Sequence, residues 1–208
     1  MTNRQFAVAT LAFLAAGLVS VWVIDQPLAY FVDRNLRGVE FAFAALTEYA
    51  EIASGYRLSR WLPGFLLLGA GGVLYLVRWN IPVAKILGFA GTAFLLTRLT
   101  AGVLKTVFER TRPFDLVKSN DYVQTFFIDG GSSFPSGHAA HFWGLFLPLI
   151  FLFPKYRAAL FIVPAFIFVA RVAVNDHYLS DVLASTYIAL FFTFFLAKTM
   201  KMAPARMA

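Results

Sequence analysis

The sequence predicts an all-α protein: a polytopic bundle of six transmembrane helices, with short amphipathic helices in its first outside segment. Three observations carry that expectation. Apolar residues make up 60% of the chain and charged residues only 14%, with a mean hydropathy of +0.70; a soluble domain is nearer half apolar and about a quarter charged. Six apolar runs of membrane-spanning character follow one another along the chain. Charged residues between those runs sort by side. A soluble core of this size cannot hide so much apolar surface, whereas a bilayer takes it up.

The first run is Phe6 to Ile24, the second Trp61 to Val77, and the third Val83 to Val103, interrupted by Lys85 and Arg98. The fourth, Ala139 to Phe153, is short and extends into the residues before it. The fifth, Ala158 to Ala170, continues towards Val174, and the sixth is Val182 to Ala197. Segments this apolar on every face read as membrane helices, not as amphipathic soluble ones. The first run is longer than the apolar core of a signal peptide and only Arg4 precedes it, so a retained helix is expected.

With the N-terminus inside and the spans alternating, the inner segments carry Arg4, Arg78, Lys85, Lys155, Arg157, Lys198, Lys201 and Arg206 and no acid. All 11 acidic residues fall outside, mixed with basic residues from Arg34 to Arg171, and only Arg98 is left within a span. The positive-inside rule then puts both termini in the cytoplasm. Asp25 to Arg60, the first outside segment, reads either as amphipathic helices lying on the membrane surface or as helix packed on the outer ends of the spans. Lys105 to Phe134, the second, reads as a loop, with Gly, Ser and Asp gathered at Asp129 to Ser133. No repeat or domain boundary interrupts residues 1–208, which are expected to form a single integral membrane domain.

Cysteine is absent, which excludes disulfides, thiolate zinc sites and thiol catalysis. The net charge of +7 comes without any dense Lys/Arg run, so nucleic acid is a poor candidate partner.

Three clusters of unusual residues fall at the outer ends of the spans. The charge-derived topology puts them on one side of the membrane without using them as input. Lys105 is followed by Arg112-Pro113; Pro135-Ser136-Gly137-His138 opens the fourth span; Arg171, His177 and Asp181 surround the turn between the fifth and sixth. Fixed Lys and Arg groups suit the equatorial oxygens of a transferring phosphoryl group, and arginine's planar fork holds two oxygens at once. Each cation taken singly also reads as a snorkelling interfacial residue. Ser136 is either a hydroxyl donor or an ordinary helix cap, and Gly137 lets the backbone approach an anion at a helix N-terminus. His138 stands in the first turn, in place to protonate a leaving oxygen. His177 and Asp181 are four apart, on one face if helical; an acid that holds one imidazole nitrogen frees the other for attack. A surface His–Asp pair at a helix start is the plainer reading.

Together the clusters resemble the type 2 phosphatidic acid phosphatase (PAP2) superfamily. Its pattern is Lys, six residues, Arg-Pro; Pro-Ser-Gly-His; then Ser-Arg, five residues, His, three residues, Asp. The spacings Lys105–Arg112-Pro113, Pro135–His138 and Arg171–His177–Asp181 all match; Ala170 stands where the family often has Ser and removes one possible hydroxyl contact to phosphate. The resemblance implies His177 as nucleophile, Asp181 as its orienting partner and His138 as the acid for the leaving group. Lys105, Arg112, Ser136, Gly137 and Arg171 are implied as the phosphate cage. It further implies a phosphohistidine intermediate opened by water, with no cofactor and no metal. His138-x-x-His141 lacks a carboxylate on its helix to complete a metal set, and His141 reads as packing or supporting. Asp115, Asp121 and Asp129 read as solvated. Arg98 either reaches outward or pairs within the bundle, and Arg110 and Lys118 either recruit an anionic headgroup or face water.

The resemblance implies a multi-pass lipid phosphatase, of bacterial type given so compact a chain. It would sit in the inner (cytoplasmic) membrane, with its site on the periplasmic or outer face. Its partner would be a lipid phosphomonoester or pyrophosphate of the phosphatidic acid, phosphatidylglycerol phosphate or undecaprenyl pyrophosphate class, with the 1-phosphate of lipid A as the leading specific rival. A vanadate-dependent peroxidase shares the oxyanion cage, but its relatives are soluble. A non-enzymatic lipid transporter explains six spans but not the motifs.

Overall fold

The computed structural model describes residues 1–119 and 130–204; Asp121, Asp129 and Arg206 lie outside the described residues. Helices account for most of them, and no strand occurs among them. Six apolar helices correspond to the six runs. Helix α1 (Asn3–Val19) continues through a π-helical turn (Ser20–Ile24) into α2 (Asp25–Asn35). After α3 (Glu40–Ala53) come α4 (Leu62–Leu76), the long α5 (Ile81–Phe108) and the short α6 (Pro113–Ser119). The chain then forms α7 (Gly137–Leu152), α8 (Arg157–Ala173) and α9 (Leu179–Thr199). Four of these stretches are long and apolar enough to cross a membrane unaided, while α4 and α7 are shorter apolar helices packed among them. This is a multi-pass membrane protein.

Helices α5, α7 and α9 form the centre. Phe89 and Ala93 of α5 pack with Leu152 of α7 and with Leu196 and Ala197 of α9. Ala139 and Trp143 of α7 meet Val182 and Ala189 of α9, with Phe168 and Val172 of α8 covering the contact. Small residues let α4 lie close on α5: a Cβ at Gly71 would sit 3.1 Å from the Ala84 carbonyl, and one at Gly91 3.1 Å from that of Gly64. Backbone approach of this kind replaces the hydrophobic drive that is missing between helices in lipid.

The structure refines the sequence reading of both outside segments. Lys105 belongs to the last turn of α5, which runs five residues beyond Val103. The segment after it holds α6, begun by Pro113 with its fixed φ, so Lys105 to Phe134 is not simply a loop. The first outside segment takes the packed alternative. Asn175 donates to the Ala29 carbonyl of α2 at 3.1 Å, and α3 packs on α8, where Phe43 and Phe166 stack at 6.1 Å.

Candidate active site

The C-terminal end of α5, the start of α7 and the turn between α8 and α9 meet at one end of the bundle. They enclose a cavity of about 380 Å³ whose wall includes Lys105, Arg112, Gly137, His138, Arg171 and His177. All six were singled out from the sequence.

Local chemistry positions each part. Helix α5 ends at Glu109, whose backbone turns left-handed at φ 42°. The chain then runs beside its own later segment: Gly131 donates to the Glu109 carbonyl and Ser133 to the Arg110 carbonyl, both at 2.8 Å. Only glycine fits at 131, because a Cβ there would lie 2.3 Å from the Arg110 oxygen. That pairing carries residues 131–133 under the cations. Lys105 Nζ donates to the Ser132 carbonyl, and Arg112 Nη2 reaches Ser132 Oγ at 3.4 Å.

Ser136 caps α7, accepting from Ala139 N at 3.4 Å; it is fully buried, so here its hydroxyl serves the helix end. Its backbone is locked to α9 by Ser136 N to the Asp181 carbonyl (3.1 Å) and by Ser185 Oγ to the Ser136 carbonyl (2.8 Å). Gly137 borders the cavity, and a Cβ there would meet Arg98 Nη1 at 3.5 Å and Lys105 Cε at 3.6 Å. His138, one residue into α7, bonds Glu51 Oε1 through Nε2 at 2.6 Å.

His177 lies before α9 rather than within it, since the helix begins at Leu179. The expectation of one shared helical face is therefore corrected: Asn175, left-handed at φ 57°, turns the chain, and the His177 N–H closes on the Arg171 carbonyl at 3.1 Å. His177 Nδ1 still stands 3.6 Å from Asp181 Oδ2. That is longer than a hydrogen bond. The carboxylate itself is firmly held. Asp181 Oδ2 accepts from Tyr178 N (2.9 Å) and Ser133 Oγ (2.5 Å), and Oδ1 from Arg110 Nη1 (2.6 Å).

Arg110 therefore neither faces water nor recruits headgroups. Its side chain is fully buried, stacked 3.9 Å from the centre of the Tyr178 ring, and joins Asp181 to Asp25, which it meets through Nη2 at 2.9 Å. Ser180 completes the Asp25 side with Oγ at 2.5 Å and backbone N at 3.1 Å. A doubly paired, hydrogen-bonded guanidinium is the arrangement that makes burial of two carboxylates tolerable. Arg98 pairs inward, donating to the Gly137 carbonyl at 2.5 Å. His141 packs among Tyr56, Phe94 and Phe142 with ring centroids about 5 Å away. Lys118 and Asp115 are exposed on α6.

Asp25, Ser133, Ser180, Glu51 and Asp176 were not recognised in the sequence. Asp25 left a trace, as a charge at the end of an apolar run. Asp176 bridges Arg112 (3.3 Å) and Arg171, and Glu51 is tied to Arg57 (3.2 Å) as well as His138.

Burial pushes the His177 imidazole down to about 3. It thus stays neutral at physiological pH. The acid limb that His177 protonation contributes to kcat/KM is expected near pH 3 rather than 6.5, and a pH–rate profile from 4 to 8 checks this. The same shift carries a stability cost in acid, because the unfolded chain binds this proton below about 6.5 and the folded chain only near 3. Stability supplied by neutral His177 is present above that window and is lost as pH falls through it.

The sequence pattern of the PAP2 superfamily matches residues 85–204, more than half of the chain. The chain belongs to the PAP2 superfamily. Two lipid A 1-phosphatases are similar to this PAP2 protein. That of Rhizobium etli is 30% identical over 152 residues, covering 68% of this chain and 66% of the relative. That of Rhizobium johnstonii is 28% identical over 194 residues, covering 86% and 75%. The chain thus spans just under two thirds of the first relative's length. In fold, this PAP2 protein is similar to a transmembrane PAP2 type phosphatidylglycerolphosphate phosphatase from Bacillus subtilis. The TM-score is 0.58 at 20% identity, over 94% of this chain and 96% of that one.

Proposed function

We propose that the protein is a membrane lipid phosphatase working through a phosphohistidine. The observation that carries this reading is the buried His177, with Nδ1 towards an anchored Asp181, in the wall of a cavity that also bears Lys105, Arg112 and Arg171. Asp181 holds the Nδ1 proton and Nε2 attacks phosphorus. The three cations take up charge on the equatorial oxygens, and the backbone of Gly137 leaves room for them. His138 gives its proton to the departing oxygen, water then opens the N–P bond, and orthophosphate leaves. Asp181 stabilises the imidazolium that forms in between.

The family and the membrane-spanning bundle support a substrate whose phosphate lies at the level of the bilayer surface. Basic residues at one end of the helices support an inner-membrane orientation with cytoplasmic termini and an outward site. The two similar lipid A 1-phosphatases make the 1-phosphate of lipid A the foremost single substrate to try. Phosphatidic acid, phosphatidylglycerol phosphate and undecaprenyl pyrophosphate complete the panel.

The test is phosphate release by purified protein in detergent from each lipid, with and without chelator. Release that survives chelator supports the reading; release that requires a metal ion overturns it.

Glu51 gives a second check on the assigned roles. Acid catalysis supplies roughly 10²–10⁴-fold, and Glu51→Gln should lose part of that factor by loosening His138. The loss should be larger for a lipid alcohol than for a substrate whose leaving group needs no proton. Equal rates for wild type and variant would remove Glu51 from the proton path.

A further inference from the structure

We infer that Arg98 and Arg60 form a second anion subsite on the leaving-group side of the cavity, suited to the retained phosphate of a lipid-linked diphosphate. This rests on the phosphatase reading above and narrows its substrate class.

The starting observation is a charge in an unusual place. Arg98 lies within α5, a membrane-spanning helix, and is only 5% exposed. Charged residues at such depth are costly and normally face a partner or a ligand. Among the described residues no carboxylate pairs with Arg98. Its Nη1 meets only the neutral Gly137 carbonyl, its Nε has no hydrogen-bond partner, and the rings of Tyr56 and Trp61 lie 5.8 and 5.9 Å from its Cζ. Nearby acids are committed elsewhere: Glu51 to His138 and Arg57, and Asp176 to Arg112 and Arg171.

Arg98 also borders the catalytic cavity, as does the exposed Arg60. It stands seven residues before Lys105, two helical turns or about 10 Å lower on the same face, and both side chains converge on Gly137. Among the described residues the cavity wall thus carries five basic side chains against a single carboxylate, Asp176. Lys105, Arg112 and Arg171 answer to one transferring phosphate. Arg98 and Arg60 remain, in the same cavity wall as the histidine assigned to the leaving oxygen.

A second phosphate at that point balances them. His177 Nε2 bonds to the terminal phosphorus and the bond from phosphorus to the bridging oxygen breaks. The bridging oxygen takes the His138 proton and leaves on the lipid monophosphate beside Arg98; water then attacks the phosphohistidine, gives a proton back to His138 and releases orthophosphate from His177. One diphosphate and one water give one lipid monophosphate and one orthophosphate.

The experiment measures kcat/KM for paired substrates that differ by one phosphate: a polyprenyl diphosphate against its monophosphate, and lipid A with a 1-diphosphate against the 1-phosphate. Wild type, Arg98→Gln, Arg60→Gln and His177→Ala are compared. The wild type is expected to prefer the diphosphate in at least one pair, and the pair that shows it identifies the lipid. Arg98→Gln is expected to cut the diphosphate rate at least tenfold more than the monophosphate rate, and Arg60→Gln to do so more weakly. Equal losses on both members of each pair, or a wild type that prefers monophosphates, would overturn the subsite and leave Arg98 as a support for Gly137. Because Arg60 is exposed, its variant keeps the question answerable if Arg98→Gln misfolds. Hydrolysis of phosphatidic acid or phosphatidylglycerol phosphate but none of the four would overturn the subsite alone, whereas no hydrolysis of any of these six lipids by wild type would sink the phosphatase reading itself.

Discussion

Phosphate release is expected to fall by at least about 10⁴-fold in His177→Ala, to the background of the assay. A missing nucleophile cannot be replaced by the cage, which retains only the part of catalysis that comes from binding and charge stabilisation. Two features make this the largest kinetic effect in the molecule. His177 is buried at 3% exposure, so water does not readily take its place, and its partner Asp181 is held by Ser133, Tyr178 and Arg110 in a fixed position. Rapid quenching of wild type with a radiolabelled lipid should trap an acid-labile, base-stable phosphoenzyme that the variant never forms. Substantial residual turnover in His177→Ala, or a phosphoenzyme on another residue, would reject the assignment.

The largest effect on stability is expected at Arg110. Replacing it by Met leaves Asp25 and Asp181 buried without a counter-charge, and breaking a buried pair in this way costs about 3–5 kcal/mol. Thermal unfolding in detergent should show the drop. Arg112→Met is the contrasting variant: Arg112 is partly exposed and its ion-pair partner Asp176 reaches solvent as well, so activity should fall while the unfolding temperature stays near wild type. Arg110→Lys should recover only part of the stability, because an ammonium cannot span two carboxylates as a planar fork does. If Arg110→Met unfolds like wild type, the Asp25–Arg110–Asp181 chain is not what holds the α2, α5 and α9 ends together.

The two variants separate what looked alike in the sequence. Arg110 and Arg112 stand two residues apart in a polar segment, and only Arg112 belongs to the family pattern. Spacing in the pattern was enough to bring Lys105, Arg112, Gly137, His138, Arg171 and His177 to one cavity wall. It did not reveal that Arg110 turns the other way, into the protein, and anchors Asp181 behind His177.

Sequence alone determined the six apolar helices, their order and six of the residues that line the cavity, because hydropathy and motif spacing are local properties of the chain. Tertiary structure decided which charges pair. Arg110 meets Asp181 across 71 residues and Asp25 across 85, and His138 meets Glu51 across 87. Such pairings depend on how α2, α3, α5, α7 and α9 pack, and a charge carries no mark of its distant partner. The same holds for Arg98, an oddity within an apolar run until packing set it beside Gly137 with no acid among the described residues to meet it. Burial in a low-dielectric bundle makes each of these choices costly to get wrong, which is why so few side chains fix the geometry of the site.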